Sequence, residues 1–128
     1  MSEVVLDASA VLAFINEESG AELVKQYFGN AAISAANLSE AVAKLVEKGL
    51  SEALVRELIE ALDLEIVSVS EEQAIAAGIL RLITKPLGLS LGDRLCIVLG
   101  KHLSKPIITT DRQWKKLAIK GVEIRLAR

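Results

Sequence analysis

Four acidic residues, Asp7, Glu40, Asp93 and Asp111, stand where the chain passes from an extended or loop segment into a helical one. Little else in the sequence can do chemistry. With one histidine in the chain, His102 cannot supply the paired acid and base of a metal-free ribonuclease, and at a helix end it reads as a surface or dipole-satisfying residue. Cys96 lies in an apolar helical stretch and reads as core rather than nucleophile. The 8 glycines form neither GxGxxG nor the GxxxxGK phosphate loop, which removes nucleotide-cofactor readings.

Each acid also has a structural reading. Asp7 and Asp111 can cap the helices they precede. Glu40 follows Asn37 at the capping-box spacing and has Lys44 at i+4 as a salt-bridge partner, and Asp93 stands three residues after Ser90. Taken singly, each acid is better explained as a cap or first-turn acid. Taken together they say more. In a parallel sheet the C-terminal ends of all strands lie on one edge, and ligands bind in the crevice outside those ends. Asp7, Glu40 and Asp111 all fall on that rim, and Asp93 opens a helix too apolar for the surface, where an unpaired acid is costly. Four carboxylates in one crevice repel each other unless cations sit among them. An all-oxygen donor set favours magnesium or manganese over zinc. Ions held in this way can activate water for in-line phosphodiester cleavage, with no histidine needed.

The elements that must position these acids alternate between short β-branched runs and longer helical segments, the pattern of an α/β parallel sheet covered by helices. Val4 to Leu6 suits a central strand buried on both faces and ends at Asp7. Helices follow over Ala8–Asn16 and Ala21–Phe28, then a strand over Ala31–Ser34. Leu38, Ala41, Val42 and Leu45 recur at i, i+3, i+4 and i+7, so a helix is expected over 37–48, with another over 51–62. A third strand is expected over 64–69. Ser70 to Gln73 forms a capping box that opens a helix to about Ile83. Thr84 to Gly88 reads as a loop, 92–103 as a deep helix, 106–110 as a fourth strand, 112–118 as a short helix and 122–126 as a fifth, edge strand.

Composition sets the frame. The chain has 128 residues, 52% of them hydrophobic, which is ample for one compact domain over residues 1–128 and excludes disorder. A lone cysteine excludes a disulfide scaffold and fits a reducing compartment. No apolar run approaches a membrane span and the N-terminus carries early acids, so a soluble cytoplasmic protein without signal peptide is expected. The net charge of −2 argues mildly against nucleic acid, but it is unevenly spread. Residues 1–75 hold 4 Lys/Arg against 14 Asp/Glu and residues 76–128 hold 11 against 3, a split that can mark a partner surface or two solvated faces.

Four segments, Val4-Val5-Leu6-Asp7-Ala8-Ser9-Ala10, Asn37-Leu38-Ser39-Glu40, Leu89-Ser90-Leu91-Gly92-Asp93-Arg94 and Thr109-Thr110-Asp111-Arg112, together resemble the PIN-domain family, and in particular VapC-type toxins of toxin–antitoxin pairs. The resemblance covers nearly the whole chain. It implies a three-layer α/β/α domain with a parallel five-stranded sheet of order 3-2-1-4-5, and magnesium- or manganese-dependent endoribonuclease activity. On that pattern Asp7, Glu40, Asp93 and Asp111 match the metal-binding acids, and Ser9 and Thr110 match supporting hydroxyls. Asn37 is a further polar contact, with a helix cap as its stronger reading. The family also implies a homodimer, inhibition by a small antitoxin, and structured or messenger RNA as substrate. Where some members carry another acid beyond the last motif, this chain has Gln113 and Trp114.

Arg94, Arg112, Lys115 and Lys116 adjoin the acids and are candidate RNA phosphate contacts, with a solvated helix face as the competing reading. Trp114 could stack on a base, but core or interface packing is the stronger expectation. Three other functions compete. A phosphoaspartate protein would also place an acid after its first strand, yet a phosphatase of that kind wants a second acid where this chain has Ser9, and a receiver wants an acid pair near the first strand. A non-toxin RNA-processing member of the family would look similar. A catalytically silent PIN-like module would have little reason to keep four acids together.

Overall fold

The computed structural model describes residues 2–128. Five short strands, β1 (Val4–Leu6), β2 (Ala31–Ser34), β3 (Glu65–Val67), β4 (Ile107–Thr109) and β5 (Ile124–Leu126), form one parallel sheet in the order β3-β2-β1-β4-β5. This is the expected 3-2-1-4-5 topology. The central strands β1, β2 and β4 are buried on both faces, as their unbroken apolar runs require.

Side chains alternate across the sheet and divide the core in two. Val4, Leu6, Ile33 and Ile108 face α1 (Ala8–Ile15), α2 (Ala21–Lys25) and α4 (Glu52–Leu62), where Val11, Val24 and Leu62 meet them. Val5, Ala32 and Ile107 face the opposite layer, built on α7 (Leu91–Leu103) with Cys96, Ile97 and Leu99 inward. A further helix, α5 (Glu71–Ile79), backs α7 through Ala77, Leu95 and Val98. The helix α3 (Ala35–Glu47) touches α1 on one side and α7 on the other. It therefore bridges the two layers above the C-terminal edge of the sheet. At Gly100 the backbone of α7 lies so close to β4 that a Cβ would overlap the Ile107 side chain.

Several boundaries differ from the sequence expectation. The α3 helix starts two residues before Asn37, directly at the end of β2, because Ser34 Oγ accepts from the Ala36 backbone N–H and Ala35-Ala36 favour helix. Asn37 is therefore not the cap. The helix expected to reach Ile83 breaks at Leu80 into α5 and α6 (Arg81–Thr84). There the buried Thr84 hydroxyl donates to the Leu80 and Arg81 carbonyls, beside an intact bond from the Thr84 N–H to the Leu80 carbonyl. The short helix after β4 is a 3-10 turn over Arg112–Lys116, cut off where Leu117 turns extended. Among the described residues no helix is long and apolar enough to cross a membrane.

Candidate active site

Asp7, Glu40, Asp93 and Asp111 are brought to the same edge of the sheet, each by a different junction. Asp7 follows β1 and caps α1, its Oδ1 accepting from the Ala10 N–H at 2.9 Å. Asp111 follows β4 and caps the 3-10 turn, its Oδ1 accepting from the Gln113 N–H at 2.9 Å. Asp93 completes a capping box at the start of α7, its Oδ2 accepting from the Ser90 N–H at 2.8 Å while Ser90 Oγ accepts from the Asp93 N–H. Glu40 lies on the second turn of α3, and its Oε1 accepts from Asn37 Nδ2 at 3.0 Å. The Glu40–Lys44 ion pair suggested by the i+4 spacing is not among the ion pairs of the described residues.

Asp7 is the most deeply set. It is 3% exposed, and its carboxyl is pushed up from 3.8 to about 6. Burial is the main cause, with the Asp93 charge adding to it. Hydrogen bonds from Thr109, Ser9 and the Ala10 amide oppose the rise without cancelling it. Burial likewise raises Glu40, with Asn37 opposing and Asp93 adding. It raises Asp93 too, where the Ser90 hydrogen bonds oppose and Asp111 adds. Asp93 is thus the acid whose charge is felt by, or feels, each of the other three. Cys96, one turn beyond Asp93 in the core, stays a thiol because burial raises it and the charges of Asp7, Asp93 and Glu40 add to the effect.

Among the described residues no Lys or Arg forms an ion pair with any of the four acids. Glu40 Oε2, Asp93 Oδ1 and Asp111 Oδ2 accept no hydrogen bond there either. The four carboxylates nevertheless do not close to ligating distance: among the described residues no group of three His, Cys, Asp or Glu could share one ion. The donor chemistry fits a hard divalent cation, since it is all oxygen, electronegative and uncompensated. A second fitting feature is Gly92, whose bare Cα leaves room for the Glu40 carboxylate, where a Cβ would overlap both of its oxygens.

The supporting residues are only partly those expected. Ser9 Oγ donates to Asp7 Oδ1 at 2.7 Å. The second hydroxyl is that of Thr109, not Thr110: buried Thr109 Oγ1 donates to Asp7 Oδ2 at 2.6 Å and accepts from the Asp111 N–H at 3.1 Å. Thr110 contributes its backbone N–H, which donates to Ser9 Oγ. One hydroxyl thereby ties the acids of β1 and β4 together. Alternation along β4 decides which threonine points inward, and the end of a three-residue strand is difficult to read from sequence.

The basic candidates divide. Arg94 Nη1 donates to the Ala77 carbonyl at 3.0 Å and binds α7 to α5, and Lys115 Nζ donates to the Ile124 carbonyl at 2.9 Å and braces β5. Both are engaged in the fold. Arg112 and Lys116 remain exposed. A groove beside Ser9 and Thr110 adds Lys48 and Arg128, which the sequence did not single out, and Lys44, which it offered only as a partner for Glu40, with Glu18 and Glu47 also on its walls. Lys44 and Lys48 are one helical turn apart on or just beyond α3, a spacing that could have drawn attention to them. Trp114 is fully buried in the core, as packing rather than base stacking requires.

A model of the PIN domain matches residues 4–120. Among curated proteins, none matches the sequence. Among solved structures, the chain resembles one in DNA-bound VapBC from Salmonella typhimurium, at 19% identity and a TM-score of 0.74 over 100% of both chains. It also resembles a chain of VapBC2 from Rickettsia felis bound to a promoter DNA fragment, at 18% identity and 0.72 over 96% of this chain and 97% of that one. A toxin–antitoxin complex from Klebsiella pneumoniae gives 17% identity and 0.72 over 93% and 94%. These likenesses are of fold, and with the match over most of its length they place the chain in the PIN-domain family.

Proposed function

We propose that this protein is a magnesium- or manganese-dependent endoribonuclease and the toxin of a toxin–antitoxin pair. The observation that carries the reading is Asp7, a buried carboxyl raised to about 6, beside other acids and with no basic partner among the described residues. A fold seldom maintains such a group without a use for it. Asp7, Glu40, Asp93 and Asp111 would hold the cation. When bound, the ion offsets their charge and acidifies the attacking water.

The remaining work falls to the chain itself. Ser9 and Thr109 fix both oxygens of Asp7, and Ser90 fixes Asp93 through Oδ2, which leaves Oδ1 free. Exposed Arg112 and Lys116 supply positive charge beside Asp111 for the RNA backbone. Attack of water at phosphorus breaks the bond to the 3′ oxygen, which takes up a proton, so the products carry 5′-phosphate and 3′-hydroxyl ends.

The resemblance to chains in toxin–antitoxin complexes supports a small antitoxin as partner. A homodimer is supported by the exposed large apolar side chains Ile75, Ile79, Leu82 and Ile83 at helical spacing on α5 and α6. The fully buried Cys96 thiol is consistent with a cytoplasmic setting. RNA cleavage with and without magnesium, measured on the unaltered chain and on Asp7→Asn and Asp93→Asn, tests the proposal. Both variants should fall by at least about 100-fold, as loss of a catalytic electrostatic group does. Undiminished, magnesium-independent cleavage would remove the proposed site.

A further inference from the structure

Asn37 occupies the first turn of α3 with its side chain fully buried. Its Nδ2 donates twice, to Glu40 Oε1 at 3.0 Å and to the Gly92 carbonyl at 3.0 Å, 55 residues further along the chain. Both partners are acceptors, so the orientation of the amide is fixed: reversed, Oδ1 would face two oxygens. In the observed orientation Oδ1 is buried and has no partner among the described residues. A buried amide that only tied two helices would normally satisfy both ends. Here the nitrogen alone is used, and it is used on one site acid and on the residue immediately before another.

Gly92 completes the arrangement from the other side. The Glu40 carboxylate occupies the space a Cβ at position 92 would fill, so any other residue there would push it away. Glu40 is therefore located twice over, by a hydrogen bond from its own helix and by the bare backbone of α7 at the turn that carries Asp93.

We infer that Asn37 and Gly92 form a latch between α3 and α7 that sets the Glu40 carboxylate relative to Asp93. Asn37 is then a positioning residue for the divalent-cation site and not a ligand of the ion. This rests on the metal-dependent reading above. Outer residues that orient ligands of a metal site typically change its affinity by about 10–100-fold when removed.

The test is Mn2+ affinity, read from the free-ion paramagnetic resonance signal on the whole chain, with circular dichroism confirming the fold. Asn37→Ala and Gly92→Ala should each weaken binding about tenfold or more. In a Glu40→Gln background, titrated far enough to saturate, the same two substitutions should cause no further loss, because they act through the Glu40 carboxylate. If Asn37→Ala does not fold, the Gly92→Ala cycle decides in the same way. Equal losses in both backgrounds, or wild-type affinity in Asn37→Ala, overturn the latch. Wild-type Mn2+ affinity in Asp93→Asn would overturn the metal reading itself, whatever the Asn37 variants show.

Discussion

Asp7 is expensive to keep, and the cost can be measured. Its carboxyl stands at about 6 in the fold against 3.8 when solvated. The folded state then binds the proton more tightly, so the stability linked to this group is fully present below pH 3.8 and is lost as pH rises through 6. Above that, the ionised buried group costs about 3 kcal/mol. Asp7→Asn removes the charge. The amide oxygen still accepts from the Ala10 N–H and the Ser9 hydroxyl, while Thr109 must turn from donor to acceptor. That rearrangement perturbs one buried hydrogen bond, at a cost of about 1 kcal/mol. The variant should therefore be more stable than the native chain by about 2 kcal/mol at pH 7.5 in EDTA, and the gap should shrink towards pH 4. Urea unfolding at several pH values reads this directly. Glu40 and Asp93 are raised as well and slope in the same direction, so the quantity to follow is the difference between the two proteins. Adding Mn2+ at pH 7.5 should stabilise the native chain, by about 2.7 kcal/mol at a hundred times the dissociation constant, and leave the variant nearly unmoved. A variant no more stable than the native chain at pH 7.5, or a difference constant from pH 4 to 7.5, would refute the reasoning.

Two further expectations follow from the geometry. Thr109→Val strands Asp7 Oδ2 in a buried setting and removes the partner of the Asp111 N–H, and should cost about 1–3 kcal/mol in urea unfolding and reduce cleavage. Thr110→Val leaves the backbone N–H donated to Ser9 in place and should stay within about 0.5 kcal/mol. Ile79→Lys, at a position 74% exposed, should leave the circular dichroism of the fold unchanged while shifting sedimentation from dimer to monomer. A chain already monomeric before the substitution would remove the homodimer.

The sequence carried the strands and the four acids because both depend on local pattern: apolar runs for the central strands, and polar residues at the turns into helices. It could not carry what depends on where a long side chain finally points. Arg94 and Lys115 adjoin the acids in sequence, yet reach backbone carbonyls elsewhere in the fold. Asn37 has a cap's spacing to Glu40, and the local preference of Ala35-Ala36 for helix moved the cap back to Ser34. What remains for Asn37 is a contact with Gly92 that only the packing of α3 against α7 creates. Gly92 itself looks like an ordinary first-turn glycine until Glu40 is seen against it.

The structural and chemical readings of the acids turn out to be compatible. A cap needs one carboxylate oxygen, and the caps made by Asp93 and Asp111 each take one and leave the other free. Capping also fixes each of these side chains against the backbone of its own helix start. The partial positive charge at each helix start softens the repulsion that four acids on one rim would otherwise suffer. Helix starts at the C-terminal edge of a parallel sheet are thus places where a chain can keep several acids close together at tolerable cost. That explains why Asp7, Asp93 and Asp111 first read as caps or cap partners, whereas Glu40, on the second turn of α3, is held by Asn37 instead. It also bears on the net charge of −2, since the acids that lower it are those proposed to bring cations to the RNA.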